Sequence, residues 1–435
     1  MKRFLIFYLC TAFAAVVNAQ TNAATTFDVD GIKVIYKPTV KDIVNVSIYF
    51  KGGVTNYAAS TAGIENLAIN GATQCGTKKY AKDAFNDKAD AYGINVYGSA
   101  GKDNANIGLY CISKYFNEGW DLLAEAAKNP VFDEGEFNKM KQKVLSGIKQ
   151  TQSSPDGMLN LMVMENVFAG TPYAINPQGI DSIVTVLTAT DAKDYYYKTL
   201  LNKARMFIVV VGNVSKADIT AKIHAAFADV PTLLYQKRIM PPPVITGNST
   251  NIVERQLATN YIMGAMNAPA YSSPDYIPNR LAFSALYDKL FTEVRTRRNL
   301  SYAPSASVRT GIMPYSFLYV TTTDPKAAVE VMANVVNDYK KNGFSQKDLS
   351  NEKAAFITSN YMKEESTNAI AASYGNAETF GNWKLADEFP DMINKTTAAE
   401  MSNAFKKYIT GIKWNYLGDT TKADEAKEAF NIALQ

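Results

Sequence analysis

The stretch VGNVSKADITAKIHAAF, Val211 to Phe227, returns in altered form near the C-terminus as LGDTTKADEAKEAF, Leu417 to Phe430. In both, an apolar residue precedes a glycine, an Asn or Asp and a hydroxyl residue follow, and Lys-Ala-Asp leads on to Ala-Phe. A second pair, NPVFDEGEFNKMK around Phe132 and KNGFSQKDLSNEK around Phe344, repeats at a similar spacing. The offset of roughly 210 residues is far longer than a solenoid unit, so the pattern implies two related α+β domains.

Within the first copy, alternating apolar residues predict strands in TTFDVDGIKVIYKP, VNVSIYFKGG, INVYGSA and ANIGLYCIS. MFIVVVGNV, Met206 to Val214, reads as a buried strand from its β-branched run. Helices are expected at about 62–74 and 82–91, through NEGWDLLAEAAKNP up to Pro130, and from Asp133, whose acidic first turn suits the helix dipole. Gly52 and Gly53 end a strand and read as a flexible hairpin turn. Between the copies, PTLLYQKRIMPPPVITG contains Pro241, Pro242 and Pro243, which no helix or central strand accommodates. The boundary falls near Met240, with one domain over 20–233, a linker over 234–246 and the second domain over 247–435.

The N-terminus, MKRFLIFYLCTAFAAVVNAQ, has two basic residues, an apolar run and Val17-Asn18-Ala19, the order of a cleavable signal peptide over 1–19. The run is shorter than the ~20 residues of a spanning helix, and Cys10 follows Leu9 rather than a small residue, which does not suit lipoprotein cleavage. Export, to the periplasm, is expected, with no transmembrane segment after cleavage. Cys75 and Cys111 then remain, as a disulfide or as two buried thiols; sequence does not choose between them.

With 435 residues, 47% hydrophobic and 20% charged, the chain is globular. Its net charge of +4 is spread among interspersed acids and bases, which gives no footprint for nucleic acid. The single histidine, His224, sits on an amphipathic segment as a surface or core filler. A zinc site built from two histidines of this chain is therefore excluded, and no flanking motif supports a Ser-His or Cys-His pair.

Taken together, several segments resemble the M16 peptidases, the group of insulinase, pitrilysin and mitochondrial processing peptidase. They are the strand ending at Gly52-Gly53, GIENLAINGATQCGT from Gly63, NPVFDEGEF, FAGTPYAINPQGI from Phe168, MFIVVVGNV, and LFTEVRTRRNLSYAPSA from Leu290. The resemblance implies two α+β domains, each a mainly antiparallel sheet with helices packed on it. Active members carry His-x-x-Glu-His after a Gly-Ile pair, two zinc ligands and a general base on one helix. In this chain Gly63-Ile64-Glu65 leads to Asn66, Ile69 and Asn70 at those three positions, and Gly147 stands where a further glutamate ligand is expected. Amides are poor zinc ligands and isoleucine carries no proton, so no metal is expected here. Glu65 is acidic but removed from the glutamate position by most of a helical turn.

The family's C-terminal half uses an Arg and a Tyr seven residues apart to hold the substrate, and these positions correspond to Arg295 and Tyr302. A phenol can donate to a tetrahedral oxyanion and a guanidinium can fix a carbonyl. Arg298 competes if the register shifts, Asn299 suits a left-handed helix stop, and Pro304 restricts the next strand to an edge. The resemblance thus implies a non-catalytic subunit of a heterodimeric zinc-dependent peptidase, paired with a homologous zinc-bearing M16 subunit and acting on unfolded peptide. The alternative is a proteolytically inactive peptide-binding or assembly scaffold of an exported complex.

Overall fold

The computed structural model describes residues 23–434; the expected signal peptide lies outside them. The chain forms two sheets. The first contains β1 (Thr25–Val29), β2 (Ile32–Pro38), β3 (Ile43–Lys51), β4 (Asn95–Ala100), β5 (Asn104–Ile112) and β6 (Met206–Gly212), in the order β1-β2-β6-β3-β5-β4. The second contains β7 (Ser249–Glu254), β8 (Asn260–Asn267), β9 (Ser305–Arg309), β10 (Tyr315–Thr322) and β11 (Lys413–Gly418), in the order β7-β11-β8-β10-β9. Each sheet is mainly antiparallel with one parallel pair, β2 beside β6 and β7 beside β11. Apart from the extra edge strand β1, the two orders superimpose term by term along the chain, as the repeated segments require.

The repeats mark equivalent junctions. β6 is followed by the helix Lys216–Phe227, capped by Ser215, and β11 by the helix Thr420–Glu425, capped by Asp419. The other pair opens the long helices Glu134–Ser153 and Gln346–Glu364, where Asp133 and Ser345 accept the N3 amides. Residues 231–246 carry neither helix nor strand.

Two sequence expectations change. TTFDVDGIKVIYKP is a hairpin, not one strand, because Asp30 and Gly31 both take positive φ, 52° and 85°, and turn the chain. Gly52 and Gly53 are not a flexible hairpin: they are buried, donate through Gly52 and Val54 amides to Asp103 and Lys102 carbonyls, and enter a short 3-10 turn. A Cβ on Gly53 would lie 2.1 Å from the Lys102 carbonyl oxygen, so the close backbone approach requires glycine.

The halves exchange helices. Ile370, Ala371 and Tyr374 of the helix Thr367–Phe380 pack on Ile35, Phe207, Val209 and Val211 of the first sheet. In return, the helix Pro155–Val167 packs on β8 and β11 of the second. Polar contacts lock both seams: Asn45 Nδ2 donates to Asn368 Oδ1 at 2.5 Å, and Asn166 Nδ2 donates to Asn415 Oδ1 at 3.1 Å. This explains the uninterrupted apolar run of β6. Met206, Ile208 and Val210 face the first domain's own helices while Phe207, Val209 and Val211 face the borrowed one.

Candidate functional site

The helix carrying the degenerate motif runs Ile64–Gln74, opened by Gly63 at φ 96°. Asn66 and Asn70 do meet on one face, where Asn70 Nδ2 donates to Asn66 Oδ1 at 2.9 Å and to the Asn66 carbonyl at 2.8 Å. Gln74 Nε2 in turn donates to Asn70 Oδ1 at 2.8 Å. The amides thus satisfy one another along the helix. Ile69 is wholly buried, and a Cβ on Gly98 of β4 would stand only 2.7 Å from its Cγ2. The side chain at the expected general-base position is thus apolar and seats the helix on the edge strand. Gly147 lies on Glu134–Ser153 and offers no side chain.

These residues do not fit zinc. Two mutually bonded amides, an isoleucine and a glycine supply no anionic or imidazole donor. Among the described residues no group of three or more His, Cys, Asp or Glu is placed to hold a metal ion. His224 sits exposed, its Nδ1 2.8 Å from Asp30 Oδ2.

Glu65 differs from the sequence expectation. Being four residues before Ile69 it shares that residue's face of the helix, and it turns into the core, 1% exposed. Its Oε2 accepts from Asn56 Nδ2 at 2.8 Å and from Tyr195 OH at 2.7 Å, while Oε1 has no partner. Arg205 completes the cluster by donating to Asn56 Oδ1 and stacking on Tyr235, 4.2 Å from its ring centre. Burial pushes the Glu65 carboxyl up to about 7 against these hydrogen bonds and the nearby guanidinium. Cys75 and Cys111 are free and buried, and burial raises both thiols to about 12.

In the second domain, the helix Tyr276–Leu290 continues into a π-helical turn, Phe291–Thr296, a widening often found at functional positions. That turn presents Arg295 with its Cζ 4.3 Å from the Tyr302 ring centre and 4.8 Å from that of Phe291. Tyr302 is 78% exposed. Asn299 ends the turn at φ 51°, and its amide donates to the Arg295 carbonyl at 3.0 Å, as its type suggests. β9 begins directly after Pro304 and is the edge of its sheet.

Register separates the arginines. Arg297 and Arg298 both bind the Glu293 carboxylate, at 2.8 and 2.6 Å. These pairs hold Glu293 below the usual carboxylate range, with the Arg298 hydrogen bond the largest cause. Arg295 makes no ion pair among the described residues and stands with Tyr302 in a cleft of about 560 Å³. Asp156 and Asn160, from the exchanged helix of the first half, form its other wall, and Tyr319 OH ties that wall to β10 by donating to Asp156 Oδ1 at 2.6 Å. None of Asn66, Ile69 or Asn70 lines this cleft. Phe291 and Arg309 also line it and escape the sequence reading; Phe291 was legible only as an aromatic four residues before Arg295.

Fold and sequence repeats define a class: a duplicated α+β protein built from two matching sheets, each with helices packed on it. The chain belongs to peptidase family M16, because residues 33–177 match the insulinase (peptidase family M16) pattern and residues 187–356 match the peptidase M16 inactive domain. Helicobacter pylori has a relative named non-peptidase homolog YmxG, 22% identical over 84% of this chain and 86% of its own length. The mitochondrial-processing peptidase subunit alpha of Solanum tuberosum is 18% identical over 88% of this chain and 79% of its own. Among solved structures, a peptidase M16 inactive domain from Pseudomonas fluorescens superimposes with a TM-score of 0.82 at 20% identity, covering 91% of this chain and 98% of that one. At that identity the likeness is one of fold.

Proposed function

We propose that this chain is the non-catalytic subunit of a heterodimeric, exported zinc-dependent M16 peptidase. In this reading zinc and the general base come from a homologous partner chain, acting in the periplasm on an unfolded peptide. The observation that carries the proposal is Arg295, without an ion pair among the described residues and stacked on exposed Tyr302 in a cleft, beside a helix Ile64–Gln74 that has amides and an isoleucine at the expected metal-motif positions. Stacking leaves the in-plane N–H groups of the guanidinium available to a peptide carbonyl, and the exposed phenol can donate to an oxyanion. The peptide would add in part as a strand, and the free edge at β9, directly after the Tyr302 turn, suits that mode. A relative named as a subunit of a processing peptidase supports the partnership.

The test is to purify the chain alone and with a homologue bearing His-x-x-Glu-His, then follow cleavage of a quenched peptide. The mixture is expected to cleave and the chain alone to be silent. Arg295→Ala and Tyr302→Phe are expected to lower turnover of the mixture by about 10² or more, the usual loss for an oxyanion donor. Cleavage by this chain alone in chelator overturns the subunit reading, and unchanged turnover in both variants overturns the roles of Arg295 and Tyr302. A stable complex that never cleaves selects the alternative, a peptide-binding or assembly protein.

A further inference from the structure

A second cavity, of about 350 Å³, shares no lining residue with the Arg295 cleft. It lies among the helices Tyr276–Leu290, Gln346–Glu364, Thr367–Phe380 and Leu385–Lys395. Two cations from different helices line it, Arg280 and Lys363. Arg280 donates to the Tyr276 hydroxyl at 3.5 Å, and Lys363 Nζ donates to Ser373 Oγ at 3.1 Å. Neither has a carboxylate within ion-pair distance among the described residues.

The acids in the neighbourhood are engaged elsewhere. Glu364 pairs with Lys37 at 3.2 Å, and Asp387 accepts from the Tyr374 hydroxyl. Burial lowers the Lys363 ammonium, and the charges of Arg280 and Lys37 push it further down while Glu364 and Asp387 pull it up. Burying the Lys363 ammonium beside a second cation is costly when the neighbouring acids are bound to other groups, and an anion between the two cations removes that cost. The remaining wall is aromatic: the guanidinium lies 5.2 Å from the Phe356 ring centre and 5.3 Å from that of Phe389. Asn360 and Asn376 add amide donors at the rim.

We propose that this cavity binds a small organic anion, its carboxylate or phosphate held by Arg280 and Lys363 and its apolar body resting on Phe356, Phe380 and Phe389. The volume falls within the range of small-ligand pockets. The site does not depend on the peptidase reading, since it uses neither Arg295 nor Tyr302.

Calorimetric titration of the purified chain with phenyl phosphate, phenylacetate and, as a neutral control, benzyl alcohol tests the site. Saturable, salt-sensitive binding of at least one anion is expected, with no binding of the alcohol; the tighter anion identifies the head group. Lys363→Met is expected to weaken binding by about tenfold or more, the loss of one charge-assisted contact. Arg280→Met is expected to do the same, but Arg280 also packs on rings, so Lys363→Met with an unchanged circular dichroism spectrum is the deciding variant. The proposal is overturned if neither anion binds at low ionic strength, if the alcohol binds as well as they do, or if Lys363→Met leaves the affinity unchanged.

Discussion

At the residue scale, a motif can lose its chemistry while its scaffold persists. Asn66 and Asn70, one helical turn apart where the family resemblance leads one to expect paired ligands, bond to each other, while Ile69, at the expected general-base position, is buried in the core. That substitution pattern was legible from residue types alone. The neighbouring acid was not: Glu65 looked surplus in sequence and is instead the centre of a buried cluster with Asn56 and Tyr195, contacts that span up to 130 positions. Its carboxyl is raised to about 7, so the folded chain holds a proton that the unfolded chain releases near pH 4.5. The stabilisation is full below that pH and fades as pH rises through about 7. Urea midpoints of wild type and Glu65→Gln at pH 4.5 and pH 8 are expected to show wild type losing roughly 3 kcal/mol relative to the variant as pH rises. A pH-independent difference would mean that folding leaves the proton affinity of Glu65 unchanged.

At the element scale, most helices and strands follow from their own residues. The helix Lys82–Ala91 has the bounds its pattern predicts, and Asp133 caps the helix it was expected to open. The hairpin at Asp30-Gly31 was legible in principle from the Asp-Gly pair; the buried turn at Gly52-Gly53 was not, because its partners are the carbonyls of Lys102 and Asp103 in the distant turn between β4 and β5. The helix Thr367–Phe380 shows what an exchanged element demands. Gly375 sits in its interior, and a Cβ there would stand 2.1 Å from Tyr49 Cζ, in a ring that stacks on Phe207 at 4.8 Å. Alanine ordinarily favours a helix over glycine by about 1 kcal/mol, but here overpacking is expected to win. Gly375→Ala should lower stability by roughly 1–3 kcal/mol in urea unfolding. A stabilised variant would mean that the seam yields at no cost.

At the scale of the whole molecule, each sheet is covered by a helix from the other domain, so the two domains are expected to unfold together. Without Thr367–Phe380 the first sheet exposes Phe207, Val209 and Val211, each worth about 1.5–3 kcal/mol when buried. The second sheet depends likewise on Pro155–Val167. Unfolding should therefore be a single transition. Variants that retain only Trp120, in the first domain, or only Trp414, in the second, are expected to report the same urea midpoint by fluorescence. Two separated midpoints would show that each domain stands without its borrowed helix.

The order of the elements and the duplication were determined by the sequence itself, as were the donor types at Asn66, Ile69 and Asn70, because local periodicity, turn chemistry and donor type are properties of neighbouring residues. Only the tertiary structure decided which arginine faces the cleft. Arg295 and Arg298 are indistinguishable as residue types, and the π-helical turn and the Glu293 carboxylate separate them. It also decided that each sheet is completed by a helix from the other half, and that Arg280 and Lys363, far apart in the chain, share one cavity. Contacts between distant segments leave no periodic trace along the chain; they exist only once the sheets have formed and the exchanged helices have been laid across them.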